Sequence, residues 1–473
     1  MAPRLAARDP AVLAVLLAGT FMAALDVSIV NVAAPQIRSG LGVSDAELQL
    51  IVSGYTVAYA ALLLTGARLG DDHGHRRLFL LGLAGFTATS LAAGLAWNGE
   101  GLIVARVAQG VAAAAMTPQV VTVIQLRFGG DARARALALF ATVIAFGAAL
   151  GQVLGGLLVS ADVAGTSWRP VFLLNVPIGI ALLVLGRRVL PPTRSQAPQR
   201  LDLWGVTLLT SAVLLVMVPL VFGREAHWAP WTWASLIAAL PTSAILLAHL
   251  GRLGRIGGHP LLDLTLLRHR PVTVGLMAVS TQMIAYGGFL FSLTFHLQGA
   301  LAYPPWQSGL IFGPYAIGFA VTSIGVPRLR ASRRHAVSIA GLLLMTGGYA
   351  AIGLAAGRGE WDSTAILPLL AIAGAGFGAG YSPVITRIVA EVPAENARDA
   401  SGLFTTINQL SFAFGVATIG TVFLARSSGS ASGAAVAMAA GLAGGLGIIS
   451  AGLVVLLGRV ERRSQPTPDA AER

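Results

Sequence analysis

Two ionisable residues stand where an apolar run should exclude them. Asp26 lies deep in the run over 11–34, and Arg106 lies in the run over 101–125. Of the 20 Asp and Glu, almost all except Asp26 fall in loops or at run ends. A charge at the middle of a bilayer costs about 2.5–3.5 kcal/mol on insertion scales, so such residues are usually functional. Burial favours the neutral carboxylic acid, and a neighbouring guanidinium favours the carboxylate. An Asp–Arg couple in an apolar cavity therefore suits proton uptake and release. It equally suits a static ion pair that braces two helices. Gln109 follows Arg106 by three positions and shares its helix face.

A second constellation is Leu69-Gly70-Asp71-Asp72-His73-Gly74-His75-Arg76-Arg77. Gly74 permits a tight turn at positive φ, and Asp71 is placed to cap a helix N-terminus and so latch one side of a bundle. The plainer reading is a basic loop. A third is the small-residue stripe Gly147, Gly151, Gly155 and Gly156, with Gln152 inside it. Spacing of this kind lets helices approach closely and serves packing or a seam between halves alike. No phosphate-binding loop of the Walker type is present. The chain has no cysteine, which excludes disulfides and thiolate chemistry,. His73 and His75 with Asp71 and Asp72 come nearest to a metal cluster, and no metal site is expected there.

The elements that hold these residues follow from composition. The chain of 473 residues is 55% hydrophobic and 11% charged, with a mean hydropathy of +0.75. Soluble domains carry about 25% charged residues, so lipid is the solvent here. About 20 apolar residues span a bilayer core. Candidate spans fall near 11–34, 48–69, 78–97, 101–125, 135–159, 170–190, 203–222 and 231–250. The rest fall near 272–298, 306–326, 336–356, 364–389, 401–424 and 434–457. Arg4 and Arg8 before the first run imitate a secretory leader, but Asp26 and the spans that follow predict a retained first helix. All 32 Lys+Arg are arginine. They cluster between alternate runs, as cytoplasmic loops require, rather than on one face as nucleic-acid binding would. With the N-terminus inside, the outward arginines reduce to Arg38, Arg169, Arg224, Arg358 and Arg426, which supports an even count. Proline after the sixth run and a basic, Gly-rich break after the eighth divide the chain. The expected units are a six-helix bundle over 1–195, a two-helix insert over 196–262, a second six-helix bundle over 263–458 and a cytoplasmic tail over 459–473. Arg328-Leu329-Arg330 with Arg333-Arg334 echoes the Asp71 segment without its acid, as related halves would.

Together these features resemble the major facilitator superfamily, specifically its fourteen-helix drug:proton antiporter branch. Leu25-Asp26-Val27 through Asn31-Val32-Ala33-Ala34-Pro35 looks like that branch's first-helix motif, and the Asp71 segment like the superfamily loop signature. Arg106-Val107-Ala108-Gln109-Gly110 resembles the helix-four motif, and Gly147 to Gly156 the antiporter motif. Trp168-Arg169 with Phe172-Leu173-Leu174-Asn175-Val176-Pro177, Ala400-Ser401-Gly402-Leu403 and Asn408-Gln409-Leu410 also fit. Gln152 replaces a usual proline, and Asp72 and His75 replace usual arginines. A histidine there introduces a group that ordinarily titrates near neutrality.

The resemblance implies an all-α polytopic membrane protein of the major facilitator fold, with two six-helix bundles, two extra helices and 14 spans. It implies Asp26 and Arg106 for proton coupling and Asp71, Gly74, His75, Arg76 and Arg77 for gating. The cavity it predicts is lined by Asp26, Tyr55, Tyr59, Gln109, Gln282, Tyr286, Phe289, Phe312, Tyr315, Tyr381 and Asn408. His296 is expected to be a hydrogen-bonded structural residue. No acid lies deep in a span of the second half, which favours hydrophobic or monocationic substrates over dications. The expectation is a monomeric, non-enzymatic exporter in the bacterial inner membrane with both termini cytoplasmic. The proton gradient drives it, with no cofactor and no nucleic-acid partner. The alternatives are a dedicated exporter of one metabolite (a self-made antibiotic, an amino acid or a siderophore), a proton symporter, or a non-transporting membrane protein.

Overall fold

The computed structural model describes residues 9–128, 130–162, 165–192, 202–223, 226–258, 260–261, 264–390, 397–427 and 432–464. The expected boundaries at 195/196 and 262/263 and most of the tail lie outside the described residues. Among those residues the structure is helical throughout, with no strand. The first helices are α1 (Asp9–Leu41), α2 (Asp45–His73), α3 (His75–Gly94), α4 (Gly99–Arg127), α5 (Gly130–Ala161) and α6 (Pro170–Val189). Next come α7 (Leu203–Phe222) and α8 (Pro230–Arg255). The remainder are α9 (Arg270–Ala300), α10 (Pro305–Gly325), α11 (Ala331–Gly357), α12 (Ser363–Ala390), α13 (Ala397–Gly415, continued by Val416–Gly420 and Thr421–Arg426) and α14 (Ser432–Ser464).

Among the described residues, 12 helices are long and apolar enough to cross a membrane. The apolar parts of α5 and α13 that are described are shorter, Leu150–Ala161 and Leu410–Arg426. Helix starts are set by local chemistry. The Ser44 hydroxyl accepts from the Glu47 N–H while the Glu47 carboxylate accepts from the Ser44 N–H at 2.8 Å, a reciprocal cap that opens α2. Asn98 opens α4 by accepting from the Gly101 N–H at 2.8 Å,. Trp97, Trp204, Trp231, Trp233 and Trp306 are exposed near helix ends, where amphipathic rings match a membrane–water interface.

In the first set of helices, α2 packs on α4, α1 on α5, and α3 on α4 and α6. In the last set, α9 packs on α13 and α14, α11 on α12 and α14, and α10 on α12. The two sets meet where α5 packs on α10 and α2 on α13. Helices α7 and α8 pair with each other, and only 28% and 17% of their apolar windows are buried. Most of their apolar surface is left uncovered by the rest of the protein, as a lipid-facing helix pair requires,. On its inner face α7 places Val213 and Met217 against Val57, Leu410 and Ala413, and Leu220 and Phe222 against Ala46 and Ala417. That face covers the seam between α2 and α13.

Candidate functional site

The buried charges are gathered in the first set. Asp26 on α1 and Arg106 on α4 are both fully buried. Arg106 Nη1 donates to Asp26 Oδ2 at 2.5 Å and to Gln109 Oε1 at 2.7 Å. Its Nε donates to the Ile51 carbonyl on α2 at 3.1 Å. The guanidinium lies 4.8 Å from the centre of the Tyr55 ring and 5.7 Å from that of Phe172, an arrangement in which ring faces solvate a desolvated cation. The second carboxylate oxygen, Oδ1, accepts from Gln109 Nε2 at 2.9 Å and from Asn175 Nδ2 at 3.0 Å. Ser90 Oγ on α3 accepts from Gln109 at 2.7 Å and from Asn175 at 3.3 Å. Five helices thus converge on one carboxylate. Each of its oxygens is engaged, as a buried anion requires.

Close helix approach makes the site possible. A Cβ at Gly110 would run into the Tyr55 carbonyl, which lets α4 press on α2 beside Arg106. Gly147, Gly151 and Gly155 face α1, and a Cβ at Gly151 would stand 2.7 Å from the Leu25 carbonyl next to Asp26. Gly156 points elsewhere, toward Pro305 and Trp306 of α10. The stripe therefore serves two contacts, one under the buried pair and one at the seam. Gln152 is buried, with its amide 3.3 Å from the Ser28 carbonyl and its own carbonyl beside Gly309.

The Asp71 segment is more helical than a loop. Asp71 still belongs to α2, Gly74 alone breaks the chain at φ 94°, and His75 begins α3. His75 is fully buried. Its Nδ1 lies 2.8 Å from Gln119 Oε1, and its Nε2 lies 3.6 Å from Asp71 Oδ1. Gln119 in turn donates to the Gly66 carbonyl at 2.7 Å. Arg76 donates to the Arg187 carbonyl at the end of α6 at 2.6 Å, while Arg77 is exposed. His75 thus joins α2, α3 and α4.

At the opposite end of the bundle, neutral groups tie the two sets together. Gln36 on α1 donates to Gln298 on α9 at 2.9 Å, and Gln298 donates to the Val32 carbonyl at 3.0 Å. Gln49 on α2 donates to Thr421 at 2.9 Å, and the Trp306 N–H donates to Ser160 at 2.9 Å.

The remaining expected cavity residues separate into groups. Tyr55 and Tyr59 stack on each other inside the first set, 5.9 Å apart. Gln282 is buried and donates to Ser450 on α14 at 3.0 Å. Phe289 stacks on Tyr349 at 4.0 Å, and Phe312 is buried. Tyr286, Tyr315, Tyr381 and Asn408 fall on one wall, with Tyr381 donating to Asn408 Oδ1 at 3.0 Å. His296 is buried, with Nδ1 3.0 Å from the Ser432 hydroxyl. Two residues of the charged network, Ser90 and Asn175, carry no expected role from sequence. Asn175, an amide inside an apolar run beside Pro177, was the available signal.

The all-helical architecture, with its enclosed ion pair between membrane-spanning helices, defines a polytopic membrane protein of transporter type. The chain belongs to the Major Facilitator Superfamily, whose family model matches residues 16–416. It is 36% identical over 421 residues to a probable actinorhodin transporter of Streptomyces coelicolor, covering 88% of this chain and 73% of that protein. It is 36% identical over 427 residues to a cephamycin export protein of Amycolatopsis lactamdurans, covering 87% and 84%. A multidrug efflux pump of Mycolicibacterium smegmatis is 31% identical over 417 residues, covering 87% and 80%. The fold matches the inward-facing, unoccupied crystal structure of a bacterial homologue of the human lysosomal transporter Spinster. The TM-score is 0.69 at 15% identity, covering 99% of this chain and all of that one.

Proposed function

We propose that the protein is a secondary active exporter that moves hydrophobic or monocationic small molecules out of the cell in exchange for protons. It does so by alternating access across fourteen spans, with both termini cytoplasmic. The observation that carries this reading is the enclosed carboxylate of Asp26, held by Arg106, Gln109 and Asn175. Protonation of Asp26 removes the charge that holds Arg106, and release of the guanidinium frees α4 to move against α1. The exporting direction is supported by relatives named for export and efflux. The ties between Gln36 and Gln298 and between Gln49 and Thr421 fit a state closed on the outer side. A dedicated exporter of one self-made antibiotic is the second reading. It is favoured by the names of the two relatives at 36% identity. The test is uptake of a lipophilic dye into inside-out vesicles on imposing an acidic interior. Accumulation that collapses when the pH gradient is dissipated is expected, and accumulation indifferent to the gradient refutes proton exchange. A growth-inhibition panel in an efflux-deficient host separates broad from dedicated export.

A further inference from the structure

The end of the bundle opposite the Gln36 and Gln49 ties buries a histidine whose two ring nitrogens meet different surroundings. His75 is fully buried at the start of α3, and Asp71, four residues earlier at the end of α2, is buried beside it. Gln119 on α4 decides where the ring carries its hydrogen. Its Nε2 donates to the Gly66 carbonyl at 2.7 Å and to the Ala115 carbonyl at 3.1 Å. Both partners are acceptors, so the amide cannot be turned round, and its Oε1 faces His75 Nδ1 at 2.8 Å,. The hydrogen of a neutral His75 therefore sits on Nδ1. Gly70 makes room for this contact, since a Cβ there would run into Gln119 Oε1 and stand 2.8 Å from His75 Nδ1.

The consequence falls on Nε2, which in that neutral form is a bare acceptor. It has no hydrogen-bond partner among the described residues and lies 3.6 Å from Asp71 Oδ1. Two acceptors facing each other in buried surroundings repel. A proton added at Nε2 turns the same geometry into an ion pair within one turn of chain. Among the described residues bordering the ring, Asp71 and Arg76 carry charge, and Arg76 is engaged with the Arg187 carbonyl at 2.6 Å. Asp72, His73 and Arg77 are exposed. Helices α1 and α4 and the segment after α6 present only apolar groups, Leu16, Val123, Leu190 and Pro191. We propose that His75 Nε2 and Asp71 form a second proton-binding site, separate from Asp26 and filled from the cytoplasm. The bound proton holds α2 to α3 and α4 across the Gly74 turn, and its loss sets Asp71 against the ring. The arginine usual at this position has a charge that does not titrate, so the site arises from this chain's departure from the family pattern. Only the assignment of this end to the cytoplasm rests on the export reading above.

The test reads the ring itself, by nitrogen NMR of the full chain in lipid nanodiscs with isotopically labelled histidine. Signals missing from His75→Gln assign the two His75 nitrogens. Both should be protonated at about pH 5, and Nδ1 alone at about pH 8. In Gln119→Leu the neutral ring is released from its acceptor, so the Nε2–H form facing Asp71 should replace the Nδ1–H form. In Asp71→Asn, most of the doubly protonated signal should be lost at a pH where the unsubstituted chain retains it. In the unsubstituted chain, a ring that keeps one protonation state across this range, or a neutral ring with its hydrogen on Nε2, overturns the proposal. So does an unchanged doubly protonated signal in a folded Asp71→Asn protein, or Nδ1–H persisting in Gln119→Leu. A ring that switches in a chain without gradient-driven export refutes the export reading alone. Export by a chain whose ring does not switch refutes the second proton site alone.

Discussion

Replacing Asp26 with Asn keeps the side chain's shape and removes one buried charge, which makes it the sharpest perturbation of the network. The carboxylate accepts from Arg106, Gln109 and Asn175. An amide keeps one acceptor and turns an N–H₂ group toward existing donors. Arg106, fully buried, is then left without an anion. Breaking a buried pair from one side costs about 3–5 kcal/mol, because the remaining charge stays desolvated. Arg106→Gln alone should cost a similar amount from the other side. The double variant Asp26→Asn/Arg106→Gln contains no buried charge, and neutral replacements of buried pairs are often near-neutral in stability. It should therefore be more stable than either single variant, a non-additivity expected of contacting residues. Reversible unfolding in mixed micelles reads these differences, and losses that simply add would refute the energetics. Transport then separates proton coupling from bracing. The double variant should be folded yet unable to accumulate dye against a pH gradient. Retained accumulation would leave the pair as a brace only.

Two further outcomes follow from the ends of the bundle. His75→Ala leaves Gln119 Oε1 without its partner at 2.8 Å, and an unsatisfied buried acceptor costs about 1–3 kcal/mol. The unfolding midpoint should fall accordingly, and an unchanged midpoint would show that His75 does not hold α3 to α4. Gln36→Cys/Gln298→Cys places two thiols where side-chain amides now meet at 2.9 Å, in a chain with no other cysteine. A thiol crosslinker about as long as the lost amides should stop transport until the link is cleaved, whereas full activity while linked would refute a seam that opens there.

Much of the fold was legible because lipid enforces a simple rule. The arginine alternation and the apolar runs put spans at 48–69 and 336–356, against helices Asp45–His73 and Ala331–Gly357. The helices run longer because capping residues such as Ser44 and Glu47 extend them beyond the apolar core. Asp26 and Arg106 were visible because each breaks the apolar pattern. Ser90 was not, since small polar residues are ordinary in membrane helices, while Asn175 stood out only as an amide inside an apolar run, with no role attached. The split glycine stripe was hidden for a geometric reason. Adjacent residues on a helix point about 100° apart, so Gly155 and Gly156 cannot serve one face, although spacing from Gly147 and Gly151 suggested a single stripe. His75 read as a loop residue because the sequence around Gly74 is polar, yet one positive φ suffices to turn the chain and both helices continue to its edge.

The two sets of helices divide the chemistry unequally, and the division explains why each half looked different in sequence. The first set buries an anion and a cation, and must surround them with Gln109, Ser90, Asn175 and the Tyr55 and Phe172 rings. Those partners come from four helices, α2, α3, α4 and α6, so any displacement of α1 against α4 disturbs several bonds at once. The second set holds rings and neutral amides, whose stacking and dispersion contacts tolerate small shifts more gradually than charged hydrogen bonds do. Helix α7 lies across the seam between the two sets and touches both through apolar side chains alone in these clusters. Contacts of that kind carry no directional bond between α7 and either helix, so shear of α2 against α13 meets its polar resistance at the Gln49–Thr421 tie instead,. A half locked while Asp26 and Arg106 are paired, a ring-lined half and an apolar cover over their seam are mechanically compatible with movement at the seam, and with movement of α4 against α1 once that pair is released.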